Sequence, residues 1–137
     1  MKNIFKNFFL ILLIVSVFSC SSDDGASVDP ELFDTWTLTT TVFRNCNDPD
    51  LDNTINELCN DISCQKMVLN SDYTYQMILT SRGVDEVSSG TFEVIGNEIQ
   101  LVSRSNTAEI VEFSVTSTSL VFATDVLTCT QNLVYTK

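Results

Sequence analysis

The 137-residue chain contains no histidine. That absence removes every catalytic triad built on imidazole, every imidazole acid or base, and every histidine-liganded metal site. Its four glycines form neither a P-loop nor a dinucleotide-binding pattern, and no serine sits in a G-x-S-x-G elbow. Basic residues are scarce, with seven lysines and arginines against eighteen aspartates and glutamates. A surface of that sign repels nucleic acid and anionic lipid headgroups, so neither is expected as a direct partner. The longest apolar run, residues 8–18, falls short of the roughly 20 residues a membrane-spanning helix needs. These absences predict a protein that is not an enzyme and carries no cofactor.

What is present begins with that apolar run. Lys2 and Lys6 precede it, Val17, Phe18 and Ser19 follow through it, and it stops at Cys20. Basic flank, short apolar stretch and small residues make a secretory signal over residues 1–19. The junction resembles the lipobox of bacterial lipoproteins, with Phe18 standing where a smaller residue is more common. That resemblance implies cleavage before Cys20, attachment of a diacylglyceryl group to its thiol, and acylation of its amine. Two or three chains, at about 0.8 kcal/mol per buried methylene, anchor a protein to a bilayer. The segment SSDDGASVDP is small, acidic and unable to pack, so residues 20–30 are expected to be a tether. Ser-Asp-Asp beside the cysteine also resembles the acidic export signal of Bacteroidota lipoproteins, which implies the outer face of the outer membrane; a plain solvated linker is the alternative. Loss of residues 1–19 leaves five basic residues against eighteen acidic ones, a formal charge of −13.

Residues 31–137 have the length of one compact domain. From Trp36 onward the apolar period is two. In TWTLTTTVF, Trp36, Leu38, Thr40 and Val42 face one way and the intervening residues the other, which predicts a half-buried strand. The same reading gives eight strands at about 35–43, 64–70, 73–81, 88–95, 98–104, 109–116, 119–124 and 128–136. Gly96-Asn97 between two of them is a two-residue hairpin turn, since both residues accept positive φ. Short turns make sequential neighbours antiparallel, and an eight-stranded up-and-down meander removes its exposed edges by closing into a barrel. A flattened or half-open barrel is the structural alternative.

The one long connection, residues 44–64, carries Cys46, Cys59 and Cys64, with Cys129 at the start of the last strand. Four cysteines in an exported domain predict two disulfides rather than zinc, because there is no histidine and no paired CxxC. Barrel closure places Cys46, Cys64 and Cys129 on one rim. The preferred pairing is Cys46–Cys59 with Cys64–Cys129, and Cys46 to Cys129 is also permitted. TINELCN within the loop is expected to form a helical turn capped by Asn53 or Thr54.

A lipobox, an acidic tether, then ELFDTWTLTT opening a meander that ends in NLVYTK together resemble the lipocalin-like lipoproteins of Bacteroidota. The family's Gly-x-Trp is matched at Trp36 but not at Asp34. The resemblance implies a barrel plugged by Trp36 and the binding of a small apolar ligand.

Two sites are worth testing. Asp48, Asp50 and Asp52 alternate as in calcium loops, yet Asn53 and Cys59 stand where such loops need glycine and a bidentate glutamate. The simpler reading is a solvated acidic loop, and Asp85-Glu86 likewise falls in an expected turn. Trp36, Tyr73, Tyr75, Met77, Phe92 and Phe113 are expected on inward faces, where they either line a cavity for a small hydrophobic ligand or fill a core. The expected partners are therefore the membrane, through the lipid anchor, and a small hydrophobic ligand in the barrel or a protein docked on its loops.

Overall fold

The computed structural model describes residues 28–137. The signal segment, Cys20 and the tether to residue 27 lie outside the described residues. Nine strands follow in order: β1 (Thr35–Arg44), β2 (Asn53–Asn56), β3 (Ser63–Leu69), β4 (Thr74–Ser81), β5 (Val84–Ile95), β6 (Glu98–Ser103), β7 (Ala108–Val115), β8 (Ser119–Val126) and β9 (Cys129–Thr136). From β3 to β9 each strand pairs antiparallel with the next, and β1 pairs with both β3 and β9. Eight strands thus close an up-and-down barrel, as the two-residue period predicts. The ninth, β2, lies along residues 40–43 of β1 as an added ribbon.

That ribbon is where a helical turn was expected. β1 is ten residues long, and β3 pairs only with its first three. The backbone of residues 40–43 therefore needs another partner on that side, and β-branched Thr54 and Ile55 suit a strand. Tertiary hydrogen bonding overrides the local signal.

Strand phase also departs from the simple alternation. Leu38 pairs with Tyr135 of β9 and Thr40 with the next residue, Val134, so Thr39 is an extra residue in a bulge. The Thr39 hydroxyl donates to the Val134 carbonyl at 3.2 Å. Beyond the bulge Thr41, not Thr40, is buried. Its hydroxyl donates to the Glu57 carboxylate at 3.0 Å, which satisfies it there. β5 starts at Val84, four residues earlier than expected, because Arg82 and Gly83, with φ of 53° and 77°, form a tight hairpin turn. Gly96-Asn97 forms its turn as read, with Gly96 at φ 65°.

One end of the barrel is plugged. A short 3-10 turn at Pro30–Leu32, capped by Asp29, places Leu32 beneath β1. The Leu32 carbonyl accepts the Trp36 indole N–H at 3.0 Å. Lys137 Nζ lies 4.7 Å from the centroid of the Trp36 ring and 3.0 Å from Asp34. Asp34, standing where the Gly-x-Trp pattern has glycine, holds the cation over that ring. Its carboxyl is kept below the usual range by the Thr35 N–H and by Lys137.

Above the plug, Trp36, Met67, Leu69, Tyr75, Phe92, Ile99, Leu101, Leu120, Phe122 and Tyr135 pack into one continuous cluster. Gly90 permits this packing. A Cβ there would run into the Val102 carbonyl and sit 2.9 Å from the Tyr75 ring, so the ring crosses β5 only over a glycine.

The two disulfides exist, but the preferred pairing does not. Cys46 joins Cys129 and Cys59 joins Cys64, with Cα separations of 4.0 and 4.2 Å. The β1–β9 register runs to Arg44 opposite Thr130, and Asn47 donates its N–H to the Thr128 carbonyl at 3.2 Å. Cys46 is therefore carried to Cys129 by the seam itself. Cys59 and Cys64 close a small loop where β2 gives way to β3.

Candidate functional site

Cross-strand partners share a face of a sheet, so the register identifies every inward position. At the end opposite the plug, the barrel opens into a mouth. Inward side chains here include Phe43, Gln65, Met77, Leu79, Glu86 and Glu109, by pairing with or alternation from the buried Met67, Tyr75 and Leu101. Leu79, Glu86 and Glu109 are exposed although they point toward the axis, so solvent enters at this end. Below them, nearer the plug, lie Tyr75 and Tyr135, both buried, as the floor of the mouth.

The floor is polar at one point. Gln65 Nε2 donates to the Tyr135 hydroxyl at 2.7 Å, linking β3 to β9 across β1. Burial pushes the Tyr135 pKa up to about 12; the Gln65 hydrogen bond opposes this and the Glu109 charge adds to it. Tyr75 is raised as well, by burial and then by Glu109. The Glu109 carboxylate therefore projects its field onto the floor of the mouth.

This has a consequence in alkali. An unfolded tyrosine ionises near pH 10, whereas folded Tyr135 stays neutral to about 12. Its contribution is complete below pH 10 and is lost as pH rises from 10 to 12, because only the unfolded chain releases that proton. The loss is about 2–3 kcal/mol in total. Tyr135→Phe should lower stability near neutrality by about 1 kcal/mol, the lost hydrogen bond, and flatten the alkaline limb. Urea midpoints between pH 9 and 12 measure both; equal alkaline slopes in the two proteins would contradict this.

The residues singled out from the sequence fall in different places. Trp36, Tyr75 and Phe92 are in the core, with Met77 and Phe113 packed against it. Tyr73 is corrected: it precedes β4 in a turn at φ 63°, is 43% exposed, and stacks on Phe33 and Phe92 at 5.9 and 5.6 Å. Asp48 accepts the Asp50 N–H and Asp52 accepts the Cys46 N–H, both at 3.1 Å, so two of the three loop carboxylates cap backbone. Among the described residues no three metal-ligating side chains converge. Asp85 and Glu86 lie in β5, not in a turn.

Glu57, Glu86 and Glu109 were missed as a group. The available signal was phase: Glu109 alternates with the inward Val111 and Phe113, so a charge occupies an apolar position. Outside the barrel, a groove of about 500 Å³ runs past Cys59, Asp61, Lys66 and Asp85. Another, of about 320 Å³, crosses the outer faces of β6 to β9 at Glu98, Ile110 and Glu112. Neither opens into the core. No protein-family model, curated protein or solved structure matches this chain.

Proposed function

We propose that the protein is a lipocalin-like lipoprotein, held at the outer membrane through Cys20, whose barrel is a non-enzymatic interaction module. The observation that carries this reading is the filled centre. The side chains that would line a deep ligand chamber, Trp36, Tyr75, Phe92 and Tyr135, are all buried and belong to one continuous apolar cluster. A packed interior favours recognition at the mouth and its loops over carriage of an apolar molecule inside.

The placement of the plug supports the same reading. Residue 28, where the described chain begins, leads directly into the plugged end. An anchor preceding it would leave the mouth facing away from the bilayer.

The test has two parts. Labelled palmitate should mark the expressed full-length chain and fail to mark Cys20→Ala; labelling of neither would remove the anchor. Native mass spectrometry of the purified protein should give the mass of the lipidated polypeptide alone. A stoichiometric apolar adduct, or saturable uptake of 1-anilinonaphthalene-8-sulfonate quenched by Trp36→Phe, would replace the interaction module with a carrier.

A further inference from the structure

The mouth has a chemical character of its own. Seven of the eleven large exposed apolar side chains among the described residues lie at this end, including Ile55, Leu58, Ile62, Leu79, Val84 and Leu127. Three of them, Ile55, Leu79 and Val84, point to the barrel axis, since Ile55 pairs with buried Thr41 and Val84 alternates with Glu86, the partner of Leu79. The β1–β2 ribbon and the β4–β5 hairpin thus carry an apolar lip on their inner sides. Apolar surface concentrated in this way marks a contact site rather than scattered exposure.

Among the described residues, the charges inside the lip are all of one sign. Glu57, hydrogen-bonded to the inward Thr41, joins Glu86 and Glu109 as inward-facing carboxylates. The basic residues nearest this end, Arg44, Lys66 and Arg104, fall on the outward phase of their strands or beyond the strand end, and Arg82 is in the hairpin turn. The carboxylates do not converge on one point, so they suit several separated cations better than a single metal ion. A second copy of the chain would bring the same acids against themselves.

Leu127 adds an independent mark. It is 100% exposed at the tip of the β8–β9 hairpin, with φ 56°. A leucine in the left-handed region is strained where glycine or asparagine is not. Neither solubility nor stability favours it there, which points to contact with something else.

We infer that the mouth docks a protein partner through an extended segment that alternates apolar side chains with lysine or arginine, the apolar groups entering between Ile55, Leu79 and Val84 and the cations meeting Glu57, Glu86 and Glu109. This rests on the reading of the barrel as an interaction module, and names the partner's chemistry.

The test uses the soluble domain with its two disulfides formed and a fluorescein-labelled Lys-Leu alternating nonapeptide, followed by fluorescence anisotropy. Binding should saturate and weaken with salt. Replacing leucine by serine, or lysine by glutamate, in the peptide should weaken it at least tenfold. Glu86→Gln with Glu109→Gln should do the same, while Glu93→Gln with Glu98→Gln, the same charge change at the plugged end, should leave it unaltered. Leu127→Asn should raise Tm by about 3 °C, by relief of strain, yet weaken the peptide severalfold. That opposed pair of effects cannot arise from misfolding. Equal losses in the two double variants would reduce the effect to non-specific charge attraction and overturn the proposal. So would dodecylamine binding in the mouth while the peptide does not, or dimerisation of the domain through this face. A stoichiometric apolar adduct inside the barrel would overturn the interaction-module reading, whereas an adduct-free barrel that fails to bind the peptide would overturn this proposal alone, so the two fail separately.

Discussion

Replacing Cys46 and Cys129 together by alanine should cost about 4.5 kcal/mol, whereas the same change at Cys59 and Cys64 should cost about 2 kcal/mol. The difference comes from the loops each bond closes. Cys46–Cys129 spans 83 residues and Cys59–Cys64 spans 5, and a cross-link removes more freedom from the unfolded chain as its loop lengthens. The long bridge also sits at the β1–β9 seam, the last pairing needed to close the barrel and the one joining strands farthest apart in sequence. Domains of this size are stable by about 5–15 kcal/mol, so loss of the seam bridge consumes a large fraction of the total. Guanidinium unfolding of both double variants, followed by circular dichroism, measures the gap. Equal destabilisation would mean that the seam is held by its hydrogen bonds alone and that loop length does not govern the effect.

Trp36→Ala should cost about 4 kcal/mol, within the range for truncating a fully buried large aromatic side chain. Trp36 is 0% exposed and is fixed on three sides. Its N–H is held by the Leu32 carbonyl, its face by Lys137, and its edge by the residues of β3, where it pairs with Met67. Alanine would open a void at the plug and free the 3-10 turn at Pro30–Leu32 beneath it. Trp36→Phe separates the contributions. It retains much of the volume and loses the indole hydrogen bond, with an expected cost of about 1–2 kcal/mol. Urea midpoints from circular dichroism decide the matter. A cost below about 1.5 kcal/mol for the alanine variant would show that the plug is not part of the cooperative core.

The features legible in the sequence are those that repeat or are local. Period-two burial in segments such as EIQLVS and EFSV needs no knowledge of the partner strand, and Gly96-Asn97 encodes its own turn. The features that escaped are settled elsewhere in the chain. In Thr39-Thr40-Thr41 three identical side chains offer no polarity contrast, so the bulge that turns Thr41 inward is visible only in its register with β9. The four residues of β2 are all exposed and have no amphipathic pattern; the unpaired edge of β1 makes them a strand. Cysteine pairing follows the same logic, since Cys46 finds Cys129 because β1 and β9 are neighbours. At the mouth, Glu86 was read with Asp85 as solvated charge in a turn, and Glu109 drew no reading although it alternates with apolar Val111 and Phe113. Trp36, Tyr75 and Phe92, expected on inward faces, lie in the buried cluster, where neighbours supplied by other strands surround them.

Lys137, the final residue of β9's trailing end, touches Glu31 at 3.3 Å, within the turn that precedes β1. The folded unit therefore begins and finishes at a single spot, almost as a ring with one clasp. Such a body can be spliced into a surface turn of another polypeptide while the host is parted by only a few ångströms. The same geometry makes a bulky group attached at Lys137 liable to crowd the clasp, whereas the distant loops remain free to vary.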